Sequence, residues 1–327
     1  MLIAHRGASG YRPEHTESCY RLAFEQGVDA VEPDIVVSSD GVLLVRHENE
    51  ISGTTDVADR PEFASRRATK VVDGVTLTGW FAEDFTWTEL QMLRCVERVP
   101  ELRPLNTGFD GDEPMLSLRQ LLRLLDEVSA SREKPISAVI EIKHAHALGE
   151  AGHDLVALLL AELEHAGWHD RPAQLVIECF ELAPLERLRD AGLAAQFVFL
   201  IESAGAPADE VALLGADARS YEWYRSDAGL DALSGRVHGI SLAKGDLLQL
   251  NARGVAVGVN DIVQRAHSRG LTVFTWTLRP ENRHLTAGFR RGSQLGAWGD
   301  WQAEWRLILS TGVDGVFLDH PDLLARL

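Results

Sequence analysis

The chain is expected to fold as an α/β protein, a (β/α)8 TIM barrel, and three features of the sequence predict it. Short apolar runs of strand length alternate with segments of helical periodicity along most of the 327 residues, the pattern of a parallel sheet covered by helices. Eight such strand-like runs can be counted, the number that closes a parallel sheet into a barrel. Charged and aromatic residues fall at the carboxyl ends of those runs, where barrels of this kind carry their chemistry. One domain is expected over 1–327, with a β-hairpin after strand 2 and a long insertion at about 49–117, before strand 3.

The first predicted strand is Leu2-Ile-Ala-His5-Arg6, ended by Gly7 and the turn-rich ASGYRPEHT; Thr16-Glu17 then opens a helix that Gly27 closes. The second strand, from Ala30, is predicted to pass through an Asp40-Gly41 turn into a returning strand, because Asp-Gly between two apolar runs is the strongest short-range hairpin signal. From Glu48 to Leu116, Thr, Asp, Gly and Pro break the periodicity, apart from one capping-box helix start at Thr86-Trp-Thr-Glu89. A stretch this long without regular elements reads as a functional insertion. After it, strands are predicted at 137–143, 175–180, 196–202, 237–243, 271–276 and 314–319, and helices at 118–129, 149–166, 182–191, 259–269 and 301–310. The pattern is weakest over 204–236.

Composition narrows the function. Apolar residues make up 45% and charged residues 25%, ordinary values for a globular protein able to bury a sizeable core. A formal net charge of -17 argues against nucleic acid, which is bound by clustered Lys and Arg. No apolar run is long enough to span a bilayer, and the start Met1-Leu-Ile-Ala-His5 leaves no room for a signal peptide, so a cytoplasmic location is expected. Cys19, Cys95 and Cys179 are widely spaced and odd in number, which fits reduced thiols. Nothing in the chain bears on oligomeric state.

Chemistry concentrates around Ala30 to Asn49. Side chains alternate along a strand, so Glu32 and Asp34 are expected to share one face. If Asp40-Gly41 is a two-residue turn, Ser39 pairs with Val42 and Asp34 stands opposite His47. Two converging carboxylates repel unless a cation lies between them, so a divalent metal site with a histidine at its edge is expected. Glu141 and Lys143 lie on one face of an otherwise apolar strand, where an unpaired buried charge would be costly. Glu202 and Lys244 at other strand ends read as surface or supporting residues.

Taken together, HRGASGYRPEHT, the Glu32-Pro33-Asp34 triplet, the Arg46-His47-Glu48-Asn49 return strand and Glu141-Ile142-Lys143 resemble the glycerophosphodiester phosphodiesterases, metal-dependent hydrolases on a (β/α) barrel. The resemblance runs from Met1 to Asp319. In the insertion, PEFASRRATKVVDG, TGWFAEDFT and LRPLNT are similar to the long form related to periplasmic and secreted bacterial enzymes. It implies Glu32, Asp34 and Glu141 as metal ligands with Glu14 near them, His5 and His47 as the acid/base pair, Arg6 and Lys143 as phosphate contacts, and Phe180 and Trp276 as walls of the alcohol pocket. His15 stands where the family usually has Asn, and Glu48 where it usually has Asp. Three carboxylates form a hard, oxygen-rich site suited to Ca²⁺ or Mg²⁺, and the long form favours Ca²⁺.

The activity implied is hydrolysis of a small-molecule glycerophosphodiester, such as glycerophosphocholine or glycerophosphoethanolamine, to sn-glycerol 3-phosphate and an alcohol. Two histidines suit it, since an ordinary pKa of about 6.5 lets one be neutral and the other charged near pH 7. Which is acid and which base stays open, as does whether water or a glycerol hydroxyl attacks phosphorus. A glycoside hydrolase would use paired carboxylates without a metal. A polyol-phosphate binding barrel would need no histidines. A lysophospholipase D or phospholipase C on the same fold would need an apolar mouth, for which Trp80, Phe81, Phe85 and Trp87 are candidates; packing of those aromatics onto the barrel is the simpler expectation.

Overall fold

The computed structural model describes residues 1–327. Its strands are β1 (Leu2–His5), β2 (Ala30–Glu32), β3 (Asp34–Val37), β4 (Leu43–Val45), β5 (Ala68–Val72), β6 (Val75–Gly79), β7 (Ser137–Ile142), β8 (Leu175–Cys179), β9 (Gln196–Ile201), β10 (Gly239–Ala243), β11 (Leu248–Leu250), β12 (Ala256–Val259), β13 (Thr272–Leu278) and β14 (Gly315–Leu318). The hydrogen-bonded order β2-β1-β14-β13-β10-β9-β8-β7 closes into a ring because β7 also pairs with β2 and β3. Every pairing in that ring is parallel. β2 and β3 together make one barrel strand, broken at Pro33, whose nitrogen has no hydrogen for the ladder. The Pro33 carbonyl still accepts from the Glu141 amide at 3.0 Å. The closed eight-stranded barrel is therefore the one the sequence predicts.

The pleat explains how the barrel carries its site. Ile3, Ala30, Val139, Val176, Val198, Phe274 and Phe317, one from each of seven strands, form a separate buried cluster, with Trp276 packed against it. Counting two residues onward along the same strands gives His5, Glu32, Glu141, Glu178, Leu200, Trp276 and Asp319. With a side-chain period of two, those residues stand directly above the plug, at the carboxyl ends of the strands. The outward-facing apolar side chains join a 72-residue core with the helices and the insertion.

Several helices follow their local signals. Thr16 caps Glu17–Glu25 by accepting from the Cys19 amide, and the Thr86/Glu89 and Ser117/Gln120 capping boxes open Trp87–Leu90 and Leu118–Ser129. The helix expected over 149–166 is two helices, Ala145–Glu150 and Leu155–Ala166. Gly152 at φ +94° stops the first, and the Asp154 carboxylate restarts the second by accepting from the Val156 and Ala157 amides. Val259 does not begin a helix but ends β12, which pairs antiparallel with β11; the helix is Ile262–His267. Pairing with β11 overrides the overlapping helical spacing there. The three cysteines are free and buried. No helix is long and apolar enough to cross a membrane.

The hairpin after strand 2 differs from expectation by one residue. Ile35 pairs with Val45, Val36 with Leu44 and Val37 with Leu43, which leaves Ser39, Asp40 and Gly41 as a three-residue loop. Gly41 supplies the left-handed residue such loops require, at φ +81°. The Ser38 hydroxyl donates to Asp40 Oδ1 at 2.6 Å and accepts from the Val42 amide at 3.0 Å, and Asp40 also accepts from the Trp87 amide of the insertion at 2.8 Å. These bonds select the longer loop. Arg46, not His47, therefore stands across from Asp34, with its amide donating to the Asp34 carbonyl at 2.9 Å. β4 has already ended at Val45, so His47 is free of the ladder and still reaches the barrel mouth.

The insertion folds onto the barrel. Trp80, Phe81 and Phe85 are buried and Trp87 packs against the core, so these aromatics form no open mouth. β5 and β6 form a hairpin around Asp73-Gly74, both at positive φ.

Candidate active site

A cavity of about 910 Å³ opens at the carboxyl ends of the strands and is lined by His5, Arg6, Glu32, His47, Glu141, Lys143, Glu178, Phe180 and Trp276. Eight of these nine were expected there from the sequence. At its base, one carboxylate oxygen from each of Glu32, Glu141 and Glu178 lies within 4.8 Å of the other two, and all three side chains are buried. Glu178 was not anticipated. It sits in the apolar run Leu175-Val-Ile-Glu-Cys, directly across the ladder from Glu141, and the argument that singled out Glu141 applies to it equally.

The trio is electrically unfinished. Glu32 Oε1 and Glu178 Oε2 are buried without any hydrogen-bond partner. Burial, reinforced by neighbouring acids, pushes Glu32 and Glu178 well above the usual carboxylate range. Burial and the Asp34 charge hold Glu141 up at about 8 against the pull of Lys143. Buried carboxylates this close together, with oxygens left without partners, are what a hard cation satisfies. The donor set, all carboxylate oxygen, fits Ca²⁺ or Mg²⁺ and not a thiol-seeking ion.

Asp34 is placed differently from its expected companions. It is fully buried beside the trio: Oδ2 meets His15 Nε2 at 2.9 Å with Arg6 Nε 3.5 Å away, Lys143 Nζ lies 3.2 Å from Oδ1, and Oδ1, like Glu32 Oε1, has no hydrogen-bond partner. Burial alone would raise it, but Lys143, His47, His15 and Arg6 together hold it well below the usual range. His15 fixes Asp34 through Nε2 while its Nδ1 meets the Tyr20 hydroxyl at 2.7 Å. Lys143 also donates to Glu141 Oε1 at 2.6 Å. Arg6 adopts φ +60°, which lets its amide donate to Glu32 Oε2 at 2.8 Å while its guanidinium meets Glu14 Oε2 at 3.1 Å.

The two histidines face the same cavity from opposite sides of the sequence's first fifty residues. Burial and Arg6 push His5 down to about 4, against the pull of Asp319, whose Oδ1 lies 2.7 Å from His5 Nδ1. Burial, Arg6 and Lys143 push His47 down to about 3, and its Nδ1 is bonded to Glu48. Both imidazoles are thus neutral near pH 7. Asp319 was visible in the sequence as a strand-end residue, but nothing local paired it with His5, 314 residues away.

Phe180 and Trp276 stand edge to face, ring centroids 5.8 Å apart, and Lys143 Nζ lies 5.6 Å from the Phe180 ring centre. Glu202 lines the outer cavity, whereas Lys244 is turned away to pair with Glu304 at 2.5 Å. The rim beyond carries the exposed side chains of Val71 and Val75 from the β5–β6 hairpin and Val211 from the helix Ala208–Leu214.

A closed parallel barrel with a buried acidic trio, two imidazoles and two fixed cations at its mouth is the framework of a phosphoric diester hydrolase. The family model described as the glycerophosphoryl diester phosphodiesterase family matches residues 5–323, and the chain belongs to that family. A glycerophosphodiester phosphodiesterase of Arabidopsis thaliana is 31% identical over 335 residues, covering 98% of this chain and 84% of its own length. One of Treponema pallidum is 29% identical over 58% of this chain and 53% of its own length, so the match spans about half of that relative. Among solved structures, a phosphodiesterase of Oleispira antarctica in complex with the product sn-glycerol-3-phosphate has a TM-score of 0.62 at 18% identity, covering 99% of this chain and 94% of that one. The glycerophosphodiester phosphodiesterase of Agrobacterium tumefaciens gives 0.59 at 18%, covering 99% and 98%.

Proposed function

We propose that the chain hydrolyses small glycerophosphodiesters, such as glycerophosphocholine or glycerophosphoethanolamine, to sn-glycerol 3-phosphate and a free alcohol, with a divalent cation, Ca²⁺ in preference to Mg²⁺, as cofactor. The observation that carries this reading is the set of buried, partnerless carboxylate oxygens at the floor of a cavity that two imidazoles and two cationic side chains also face. Glu32, Asp34 and Glu141 would hold the metal, with Glu178 beside them. A divalent cation bound there offsets the charge that builds on phosphate oxygens in the transition state.

The remaining work falls to the chain's own side chains. Arg6 as a planar fork and Lys143 as a point charge orient the anionic phosphodiester. Besides burial, both charges hold the His47 pKa low, and Arg6 does the same to His5. An arriving phosphate anion partly neutralises them and so raises the imidazoles toward a value useful near pH 7. One imidazole then takes a proton from the attacking hydroxyl and the other gives one to the departing alkoxide. Phe180 and Trp276 bound the space beside the phosphate and exclude water from it.

A release assay tests the proposal: glycerophosphocholine, glycerophosphoethanolamine and glycerophosphoglycerol are incubated with the protein, with and without chelator, and glycerol 3-phosphate is measured enzymatically. Turnover that vanishes on chelation and returns with Ca²⁺ is expected. Turnover indifferent to chelator, or absence of glycerol 3-phosphate among the products, refutes it. A monoacyl substrate is a second reading, favoured by the exposed Val71, Val75 and Val211 at the rim, and the same assay on lysophosphatidylcholine decides it.

A further inference from the structure

Of the histidines that line the cavity, His5 and His47 are each backed by a carboxylate that an arginine from the insertion grips. His5 Nδ1 lies 2.7 Å from Asp319 Oδ1, and Asp319 Oδ2 accepts from Arg103 Nη2 at 2.5 Å. His47 Nδ1 meets Glu48 Oε1, and Glu48 accepts from Arg98 Nη1 at 2.8 Å and Nη2 at 2.6 Å. The two arginines stand five residues apart in one segment of the insertion. Both are anchored on their far side: Arg98 to the two oxygens of Glu14 at 2.6 Å, through Nε and through Nη2, which Glu14 shares with Glu48, and Arg103 to Glu281 at 2.8 Å through Nε and to the Ser9 carbonyl at 3.0 Å through Nη1. Neither lines the cavity, and neither contacts Glu32, Glu141 or Glu178.

A carboxylate can only accept, so a neutral imidazole bonded to it carries its proton on Nδ1 and leaves Nε2 bare. A carboxylate free to turn would not hold the ring in place. Arg98 meets both oxygens of Glu48 as a guanidinium fork, which fixes a carboxylate in position and rotation as an ammonium does not, whereas Asp319 is fixed by His5 on Oδ1 and by single bonds to Oδ2 from Arg103 Nη2 and from Arg279 Nε at 2.6 Å. The pattern Arg–carboxylate–His therefore occurs twice, with one arm for each member of the acid/base pair.

We propose that the insertion is part of the proton-transfer apparatus: Arg98 and Arg103 are positioning residues that lock Glu48 and Asp319 so that His47 and His5 present Nε2 to the substrate. The inference rests on the reading of these two histidines as acid and base. In the reaction, one Nε2 takes the proton of the attacking hydroxyl as its oxygen bonds to phosphorus. The other histidine, protonated beforehand, delivers its proton to the leaving oxygen as that P–O bond breaks, and exchange with solvent restores both. One arm thus serves the nucleophile and the other the leaving group, and their failures have different signatures.

The experiment uses the full chain with Ca²⁺, the variants Arg98→Ala and Arg103→Ala, and the isosteric pair Glu48→Gln and Asp319→Asn, which probe the same arms with minimal risk to folding. Each is assayed on glycerophosphocholine and on a glycerophosphodiester with a p-nitrophenol leaving group, which departs without protonation. On glycerophosphocholine, kcat should fall about tenfold or more in every variant, with KM within about threefold, the scale usual for groups that orient reacting side chains. On the p-nitrophenyl substrate the loss should shrink to under about threefold in one arm and persist in the other. Alanine variants that keep kcat within about twofold overturn the proposal, as does an equal loss in both arms on both substrates, which is what mere loosening of the fold would give. His5→Ala and His47→Ala run alongside: if these keep turnover, the acid/base reading itself is wrong, whereas inactive histidine variants with intact arginine variants remove only the present inference.

Discussion

With no cation bound, this protein should become less stable as pH rises from 6.5 to 8, and the buried carboxyls set the size of the effect. Burial holds Glu141 at about 8, against an ordinary value of 4.5. A carboxyl raised in the folded state keeps a proton that the unfolded chain has released, so its contribution is fully present below 4.5 and is lost as pH climbs through about 8. At about 1.4 kcal/mol per pH unit, the window from 6.5 to 8 costs about 2 kcal/mol for this one group. For a chain of this length that is a fall in Tm of about 3 °C. Glu32 and Glu178, raised by the same burial, add to the slope. His5 and His47, lowered to about 4 and about 3, act in the opposite direction, mostly below 6.5; between 6.5 and 8, where unfolded histidine is half-protonated at the lower end, they offset about 0.4 kcal/mol each. Denaturant unfolding at pH 6.5, 7.25 and 8, in EGTA and in 1 mM Ca²⁺, measures both states. Calcium must displace the retained protons, so its stabilising increment should be larger at pH 8 than at pH 6.5. A chelated protein whose stability is flat or rises across this window, or a calcium increment equal at both ends, would refute the reasoning.

Three further outcomes are expected. His5→Ala and His47→Ala should each lower kcat by about a hundredfold or more while leaving calcium affinity, read by calorimetry, within about threefold of the parent. Glu178→Gln should weaken cation binding about tenfold and, because a glutamine is neutral in this buried site without taking up a proton that the unfolded chain has released, raise the stability of the chelated protein at pH 8, as seen in thermal unfolding. Phe180→Ala or Trp276→Ala should raise KM for glycerophosphocholine several-fold with a smaller change in kcat, measured by steady-state choline release.

The legible part of the site followed from the pleat. A charged side chain two residues beyond an apolar one, at the end of an apolar strand, points where its predecessor points, and this rule places Glu32, Glu141 and His5 above the barrel plug from sequence alone. Glu178 obeys the same rule, two residues after Val176 in an apolar strand, and was readable from it. The pairing of Asp34 with His47 was not readable, because it depended on loop length. Ser38, Asp40 and an amide 47 residues further on decide between a two- and a three-residue loop, and one residue of slip exchanges Arg46 for His47.

By itself the sequence determined the eight strands, their closure into a barrel and most of the side chains at its mouth, because strand periodicity is a local property of the backbone. The tertiary structure decided which carboxylates meet: Glu178 joins Glu32 and Glu141, while Asp34 lies among His15, Lys143 and Arg6, and Glu32, Glu178 and Asp34 each keep one oxygen without a hydrogen-bond partner. It alone joined Arg103 to Asp319 across 216 residues and Arg98 to Glu48 across 50. Hydrogen bonds between side chains so far apart in sequence leave no periodic trace in it, since they depend on where the folded barrel carries each strand end and not on spacing along the chain.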